Sequence, residues 1–122
     1  MIELVVVTTI LTILSQSPVA NDNAVILFQD VNPIEEIIER ELGEVFVDIA
    51  RAESGLDPNA YNPERHRGCK GSWGLFQIAC LHYEGNPKDL FDVELNIKLA
   101  KEVYEKQGFK AWSVCKKIVV CE

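Results

Sequence analysis

The sequence has little positive charge. It contains 12 Lys and Arg residues against 19 Asp and Glu residues, which gives a net charge of −7 at pH 7. Proteins that bind nucleic acid usually present a basic surface, so this balance argues against a nucleic-acid partner. The acidic excess lies between Asp22 and Glu53, where Arg40 and Arg51 are the only cations. From Arg65 onward the chain is slightly basic, so its two halves differ in charge.

The sequence also lacks an apolar run long enough to span a membrane. Leu4 to Leu14 is apolar, but a transmembrane helix needs about 20 such residues. With the polar residues that follow, residues 1–20 predict a secretory signal peptide cleaved after Ala20, although Glu3 stands where a signal usually carries a basic residue. We therefore expect an exported protein, extracellular or in the cell envelope, with no stable membrane insertion after signal removal. An uncleaved anchor is the alternative.

Metal-ligand spacing is absent as well. No Cys-x-x-Cys occurs, and His66 and His82 stand apart from acidic clusters, so we expect neither a metal nor a cofactor. At 122 residues, with no internal repeat or low-complexity segment, the chain should form one domain. We place it at residues 33–122, after an N-terminal segment over 21–32.

Helical periodicity dominates and period-two alternation is scarce, which predicts a mainly α domain with at most a small β-hairpin. One helix should end at Glu53, because Val45, Ile49 and Ala52 recur at three- and four-residue steps and Gly55 supplies a left-handed stop. A carboxylate in a last helical turn meets the negative end of the helix dipole and, if buried, loses hydration. Both effects raise its pKa and keep a proton available for general acid catalysis. A solvated surface glutamate is the plain alternative.

A glycine-punctuated apolar run and a second helix follow. Gly71 to Ile78 reads as a strand or turn that comes close to another backbone or a ligand. Gln77 is an amide within this run and needs partners if it is buried. Glu94 to Gln107 predicts an amphipathic helix, on which Asn96 and Tyr104 share one face.

These segments together resemble the lysozyme-like transglycosylase domain of soluble lytic transglycosylases, which is related to goose-type lysozyme. The resemblance covers roughly residues 32–115, with the motifs in the family's order. The matching residues are Ala52-Glu53-Ser54-Gly55 with Asn59 and Pro63, Gly71-Ser72-Trp73-Gly74-Leu75-Phe76-Gln77-Ile78, Asn96-Ile97-Lys98-Leu99-Ala100 with Tyr104, and Gly108-Phe109-Lys110-Ala111-Trp112-Ser113. The fold implied is a small α+β, lysozyme-like domain with a hairpin beside an active-site groove.

The resemblance implies a lytic transglycosylase that binds peptidoglycan glycan strands. Glu53 matches the catalytic acid/base, which protonates the oxygen between N-acetylmuramic acid and N-acetylglucosamine. It then takes a proton from the muramic 6-hydroxyl, which closes on the anomeric carbon to give a 1,6-anhydro end. Gln77 matches a groove amide that donates to substrate, and Tyr104 matches a phenol that hydrogen-bonds near the catalytic carboxyl.

Three further residues carry weaker implications. Ser54 matches the residue that commonly follows the catalytic glutamate, and Asn96 matches a structural or groove position. For both, a purely local hydrogen-bonding role is as plausible as a functional one. Trp73 is either a sugar-stacking platform or a core residue. We also expect Arg65-His66-Arg67 to meet anionic groups of the cell-wall polymer, and the protein to be a monomer.

Two other functions stay open. A hydrolytic muramidase would recruit a second carboxylate, for which Asp57 and Asp92 are the candidates, although neither stands in a persuasive motif. A catalytically silent peptidoglycan-binding module would keep the groove without turnover. An intact set of Glu53, Gln77 and Tyr104 argues against it.

Four cysteines, an even count, agree with an exported and oxidised domain. They allow three pairings. If Cys69 lies near a hairpin turn and Cys80 just past the returning strand, most of a strand separates them, whereas a disulfide needs Cα atoms within about 7 Å. Cys69–Cys80 is therefore the pairing we reject first. We expect Cys80–Cys115 with Cys69–Cys121.

Overall fold

The computed structural model describes residues 30–118 and residue 121. The predicted signal peptide, 1–20, and all but the last three residues of the predicted segment 21–32 lie outside the described residues. No helix in the part of the chain that the structure describes is long and apolar enough to cross a membrane.

Two short helices open the described domain. Helix α1 spans Pro33–Glu41 and helix α2 spans Glu44–Ser54. The side chain of Asn32 caps α1 by accepting a hydrogen bond from the Ile34 amide at 3.0 Å, as a good N-cap residue does. Gly43 separates the helices with a φ of 106°, a left-handed region that favours glycine.

A small antiparallel sheet follows, with strands β1 at Tyr61–His66, β2 at Cys69–Trp73 and β3 at Ile78–Ala79. The strand order is β1-β2-β3. Short 3₁₀ segments at Cys80–His82 and Pro87–Phe91 lead into helix α3 at Val93–Gln107, and two more follow at Gly108–Ala111 and Ser113–Lys116. The predicted small, mainly α domain is confirmed, and the expected hairpin is a three-stranded sheet.

The core joins α2, α3 and the glycine-punctuated run. Its fully buried members include Ile49 on α2, Leu75 and Phe76 after β2, and Ala100 on α3. Aromatic rings close one side of it: Phe46 lies 6.3 Å from Phe76 between ring centroids. Ile38 on α1 is also fully buried, so each of the three helices buries apolar side chains in this common core.

The expected disulfide pairing is wrong. The structure joins Cys69 to Cys80, with Cα atoms 6.1 Å apart, and Cys115 to Cys121, with Cα atoms 5.4 Å apart. Strand β3 pairs antiparallel with β2, with Ser72 opposite Ala79, so the returning chain runs back toward the start of β2. Cys80 therefore ends beside Cys69 rather than a strand length away, within the reach of a disulfide.

Candidate active site

Glu53 lies in the last turn of α2, where glycine ends the helix. Gly55 adopts a left-handed φ of 64°, and its amide donates to the Arg51 carbonyl at 2.9 Å. The Glu53 side chain is half-buried and takes part in none of the ion pairs among the described residues. Burial first, and the nearby negative charge of Glu64 second, raise the pKa of Glu53 above its ordinary 4.5. The direction agrees with the sequence-based expectation, and burial is its main cause.

The Glu53 carboxyl group opens into a cleft of about 280 Å³. Strand β1 lines it, together with Gln77, Ile78 and Ala79. Val103 on α3 and the residues from Lys110 to Ser113, which follow this helix, line it as well. Residues of the sheet and residues from α3 onward thus share one cleft with the half-buried Glu53.

Strand β1 supplies alternate polar side chains to this cleft. Asn62, Glu64 and His66 all line it, although the register of β1 against β2 shifts between Asn62 and Arg65, so simple two-residue alternation does not place them. Glu64 was not among the site residues predicted from the sequence. Its neighbour Arg65 is also charged, so no alternation of polar and apolar residues marked Glu64.

Gln77 has a rare backbone conformation for a residue with a side chain, with a φ of 49°. Its Nε2 donates to the carbonyl oxygens of Ala60 at 3.2 Å and Gly74 at 3.0 Å. Both amide protons are therefore used within the protein, in contrast to the expected donation to substrate. The Oε1 atom accepts no hydrogen bond from the described residues, so Gln77 offers the cleft an acceptor.

Ser54 and Asn96 make hydrogen bonds inside the fold. Ser54 Oγ donates to the Ala50 carbonyl at 3.0 Å, one helical turn back. Asn96 is 1% exposed, and its Nδ2 donates to the carbonyl oxygens of Trp73 at 2.9 Å and Leu90 at 2.8 Å. Its Oδ1 accepts from the Phe76 amide at 2.9 Å. Asn96 thus ties α3 to the backbone that carries Gln77, and neither Ser54 nor Asn96 lines the cleft.

Glycine is required beside this asparagine. A Cβ atom on Gly74 would collide with Asn96 Nδ2 and the Leu90 carbonyl oxygen, and the φ of Gly74 is 78°. The close approach predicted for the glycine-rich run is therefore an approach to the protein's own side chain and backbone.

Tyr104 and Trp73 also lie outside the cleft lining. Tyr104 is 36% exposed and packs on the rings of Phe46 and Phe109, with centroids 5.1 Å and 4.8 Å away. Trp73 is half-buried between Tyr61 and another aromatic ring, with a centroid distance of 4.3 Å to Tyr61. The structure therefore brings Glu53 and Gln77 together in one cleft but does not add these two aromatic residues to it.

A different aromatic residue lines the cleft. Trp112 is 5% exposed, and its Nε1 donates to the Phe76 carbonyl at 3.0 Å. This hydrogen bond fixes the chain after α3 against the residue that precedes Gln77. Trp112 belongs to the last of the motifs that match the family, but it was not among the site residues predicted from the sequence.

The acids considered as second carboxylates have other partners. Asp57 accepts from the Asn59 amide at 2.9 Å, and Asp92 caps α3 by accepting from the Leu95 amide at 2.8 Å. Neither lines the cleft. Glu64 is the acid that shares the cleft with Glu53.

Basic groups line the same cleft. His66 Nε2 lies 2.9 Å from Ser72 Oγ, and His82 and Lys110 also line the cleft. Burial, followed by the positive charges of Lys106 and His66, lowers the pKa of His82 below its ordinary 6.5. Among the described residues, no group of three or more His, Cys, Asp or Glu side chains could hold a metal ion.

Comparison with protein families gives one match. The family model described as "Transglycosylase SLT domain" matches residues 38–108, more than half of the chain. The matched stretch contains Glu53, Glu64 and Gln77. No curated protein and no solved structure matched the chain.

Proposed function

Because the chain belongs to the transglycosylase SLT domain family, and so to a family that acts on peptidoglycan, we propose that it is a peptidoglycan lytic transglycosylase. It cleaves the β-1,4 bond between N-acetylmuramic acid and N-acetylglucosamine and leaves 1,6-anhydromuramyl ends. The observation that carries this proposal is the setting of Glu53, which lies half-buried at a helix end, in a cleft, with a raised pKa.

Glu53 acts first as the acid. With its pKa raised, the carboxyl group keeps its proton at a higher pH than an exposed glutamate would, and it gives that proton to the glycosidic oxygen as the bond breaks. The resulting carboxylate then takes the proton of the muramic 6-hydroxyl, whose oxygen attacks the anomeric carbon. The substrate thus supplies its own nucleophile, and proximity replaces an activated water.

The rest of the cleft positions the strand. Gln77 Oε1 accepts a hydrogen bond from a sugar hydroxyl or N-acetyl N–H, and the buried Trp112 gives the opposite wall an apolar surface. Tyr104, which the resemblance places near the catalytic carboxyl, supports the wall from outside the cleft through Phe46 and Phe109. Ser54 and Asn96 serve the backbone rather than the substrate.

We also propose that the enzyme is exported and works as a monomer in the cell envelope or outside the cell. Support for export comes from the two disulfides, which persist in oxidising compartments, and from a peptidoglycan substrate that lies outside the cytoplasm.

One observation favours a second function, the hydrolytic muramidase. Glu64 faces the same cleft as Glu53 and is near enough for its charge to raise the pKa of Glu53. A second carboxylate across a cleft is what a hydrolase needs to activate water or to stabilise the cationic transition state. Glu64, in place of Asp57 and Asp92, is the residue that would take this role.

Mass spectrometry of the products released from purified peptidoglycan tests the proposal. Anhydromuramyl ends from the wild-type protein, retained in Glu64→Gln, are the expected result. Reducing muramic ends that disappear in Glu64→Gln would establish the muramidase instead. Release of neither product by a folded protein that still binds peptidoglycan would leave the silent binding module.

A further inference from the structure

Groups of opposite charge line the cleft. Glu53 and Glu64 both line it, and the negative charge of Glu64 raises the pKa of Glu53. His66, His82 and Lys110 line it as well, and the charge of Lys106 reaches His82. None of these four basic residues takes part in an ion pair among the described residues. The charges of Lys106 and Lys110 are therefore not neutralised by an ion pair among the described residues, and His82 adds a positive charge once the pH falls below its lowered pKa.

We propose that His82 and Lys110 form a subsite that binds a carboxylate carried by the glycan strand. The proposal rests on the function proposed above and extends it to substrate recognition. Neutral sugar hydroxyls do not need a cationic partner, whereas a lactyl group without a peptide stem carries a free carboxylate, and a peptide stem carries carboxylates of its own. A carboxylate in the cleft is repelled by Glu64 and attracted by the basic residues, so the charge pattern favours one position of the strand.

The backbone under both residues is well held. His82 ends the 3₁₀ segment that begins at Cys80, whose disulfide ties it to β2. Lys110 lies in the segment Gly108–Ala111, and Trp112 anchors the chain directly after it through the hydrogen bond to the Phe76 carbonyl. Fixed backbones reduce the conformational entropy that the site loses when a ligand binds. The backbone of the subsite is thus largely preformed.

Binding measurements test the subsite apart from turnover. Glu53→Gln protein would be titrated calorimetrically with glycan hexasaccharides that carry free lactyl carboxylates, and with the same strands after conversion of those groups to amides. The amide keeps the size of the substituent and removes its charge. A third strand, whose lactyl groups carry peptide stems with free carboxylates of their own, distinguishes stem carboxylates from lactyl carboxylates as the bound group.

We expect the protein to prefer a carboxylate-bearing strand to the amidated one. Lys110→Gln should weaken binding of the charged strand by roughly 3- to 5-fold, as expected for one partly exposed ion pair, and leave the amidated strand unchanged. His82→Gln is the second variant, at the other residue of the subsite. Lys98→Gln is the matched control, since Lys98 is an exposed lysine of α3 outside the cleft, and it should change neither affinity.

The pH dependence of the affinity is a further test, because a purely structural role of His82 would not change it. The charged groups that act on His82 are Lys106 from α3 and His66 from β1. Glu64 and Lys110 line the same cleft, and residue 53 is a neutral glutamine in the background used. The pKa of His82 lies below 6.5. Affinity for the carboxylate strand should therefore rise as the pH falls through that lowered pKa, because His82 then gains a positive charge. The rise should be absent in His82→Gln and for the amidated strand.

The outcomes separate this inference from the proposed function. If wild-type protein cleaves peptidoglycan but Glu53→Gln protein binds charged and amidated strands equally, the subsite is wrong and the function stands. A preference that survives both Lys110→Gln and His82→Gln also overturns the subsite. If wild-type protein neither cleaves nor binds any strand, both proposals fall together. Preference for lactyl or for stem carboxylates supports the subsite and identifies its ligand.

Discussion

Replacing Asn96 with alanine should destabilise the protein strongly, because this one side chain makes three hydrogen bonds in the interior. It donates to the carbonyl oxygens of Trp73 and Leu90 and accepts from the amide of Phe76. With Asn96 at 1% exposure, solvent has little access to the three backbone groups once the amide is gone. They would be left buried without partners.

The magnitude follows from these contacts. Each buried polar group left without a partner costs about 1–3 kcal/mol, so three of them predict a loss of roughly 3–5 kcal/mol after partial relaxation. This is a large part of the 5–15 kcal/mol that typically stabilises a domain. Equilibrium unfolding in urea, followed by circular dichroism, measures the loss directly. Asn59→Ala is the matched control, since Asn59 is exposed, and it should change the free energy of unfolding by no more than about 0.5 kcal/mol.

The same variant separates a structural from a substrate-binding role for Asn96. A loss below about 1 kcal/mol would refute the hydrogen-bond reasoning. If that small loss came with a large increase in KM for peptidoglycan, Asn96 would be the groove residue that the family resemblance also allowed.

Three further predictions concern the acids and the sheet. Burial raises the pKa of Glu53, so the wild-type protein should lose stability as the pH rises from 4.5 through that raised pKa. Glu53→Gln should therefore melt higher than wild type at neutral pH, and melting curves should converge below pH 4.5. Asp57→Asn and Asp92→Asn should keep most activity and leave anhydromuramyl products, because asparagine makes the same capping hydrogen bonds; loss of turnover in either folded variant would contradict this. Removing both Cys69 and Cys80 should lower the free energy of unfolding in urea by about 2–4 kcal/mol. In the wild-type protein, non-reducing peptide mapping should find Cys80 joined to Cys69 and to no other cysteine.

Local sequence patterns were enough to predict the helix end that carries Glu53. The apolar spacing through Ile49 and the left-handed stop at Gly55 depend only on neighbouring residues, and the structure has both. The buried, fully bonded Asn96 was harder to assign. Its helix was predicted from the sequence, but its three partners lie on other segments, so the spacing alone left a groove role and a structural role equally open.

Long-range pairing accounts for the errors. The direction in which β3 returns along β2 places Cys80 beside Cys69, and no local pattern fixes that direction. Glu64 was overlooked because β1 is also formed by long-range pairing. Its polar sequence resembles that of a solvated loop as long as the pairing with β2 is unknown. The predicted place of Tyr104 near the catalytic carboxyl stays a prediction; on α3, Val103 lines the cleft and Tyr104 does not.

The proposed transglycosylase reaction depends most directly on Glu53 as the acid/base. The decisive measurement is the rate at which Glu53→Gln protein releases soluble fragments from purified peptidoglycan, compared with wild type under the same conditions. The exchange is nearly isosteric and removes only the transferable proton, so turnover should fall by about 10²–10⁴-fold while circular dichroism stays native. A folded Glu53→Gln protein that degrades peptidoglycan at nearly the wild-type rate would contradict the account.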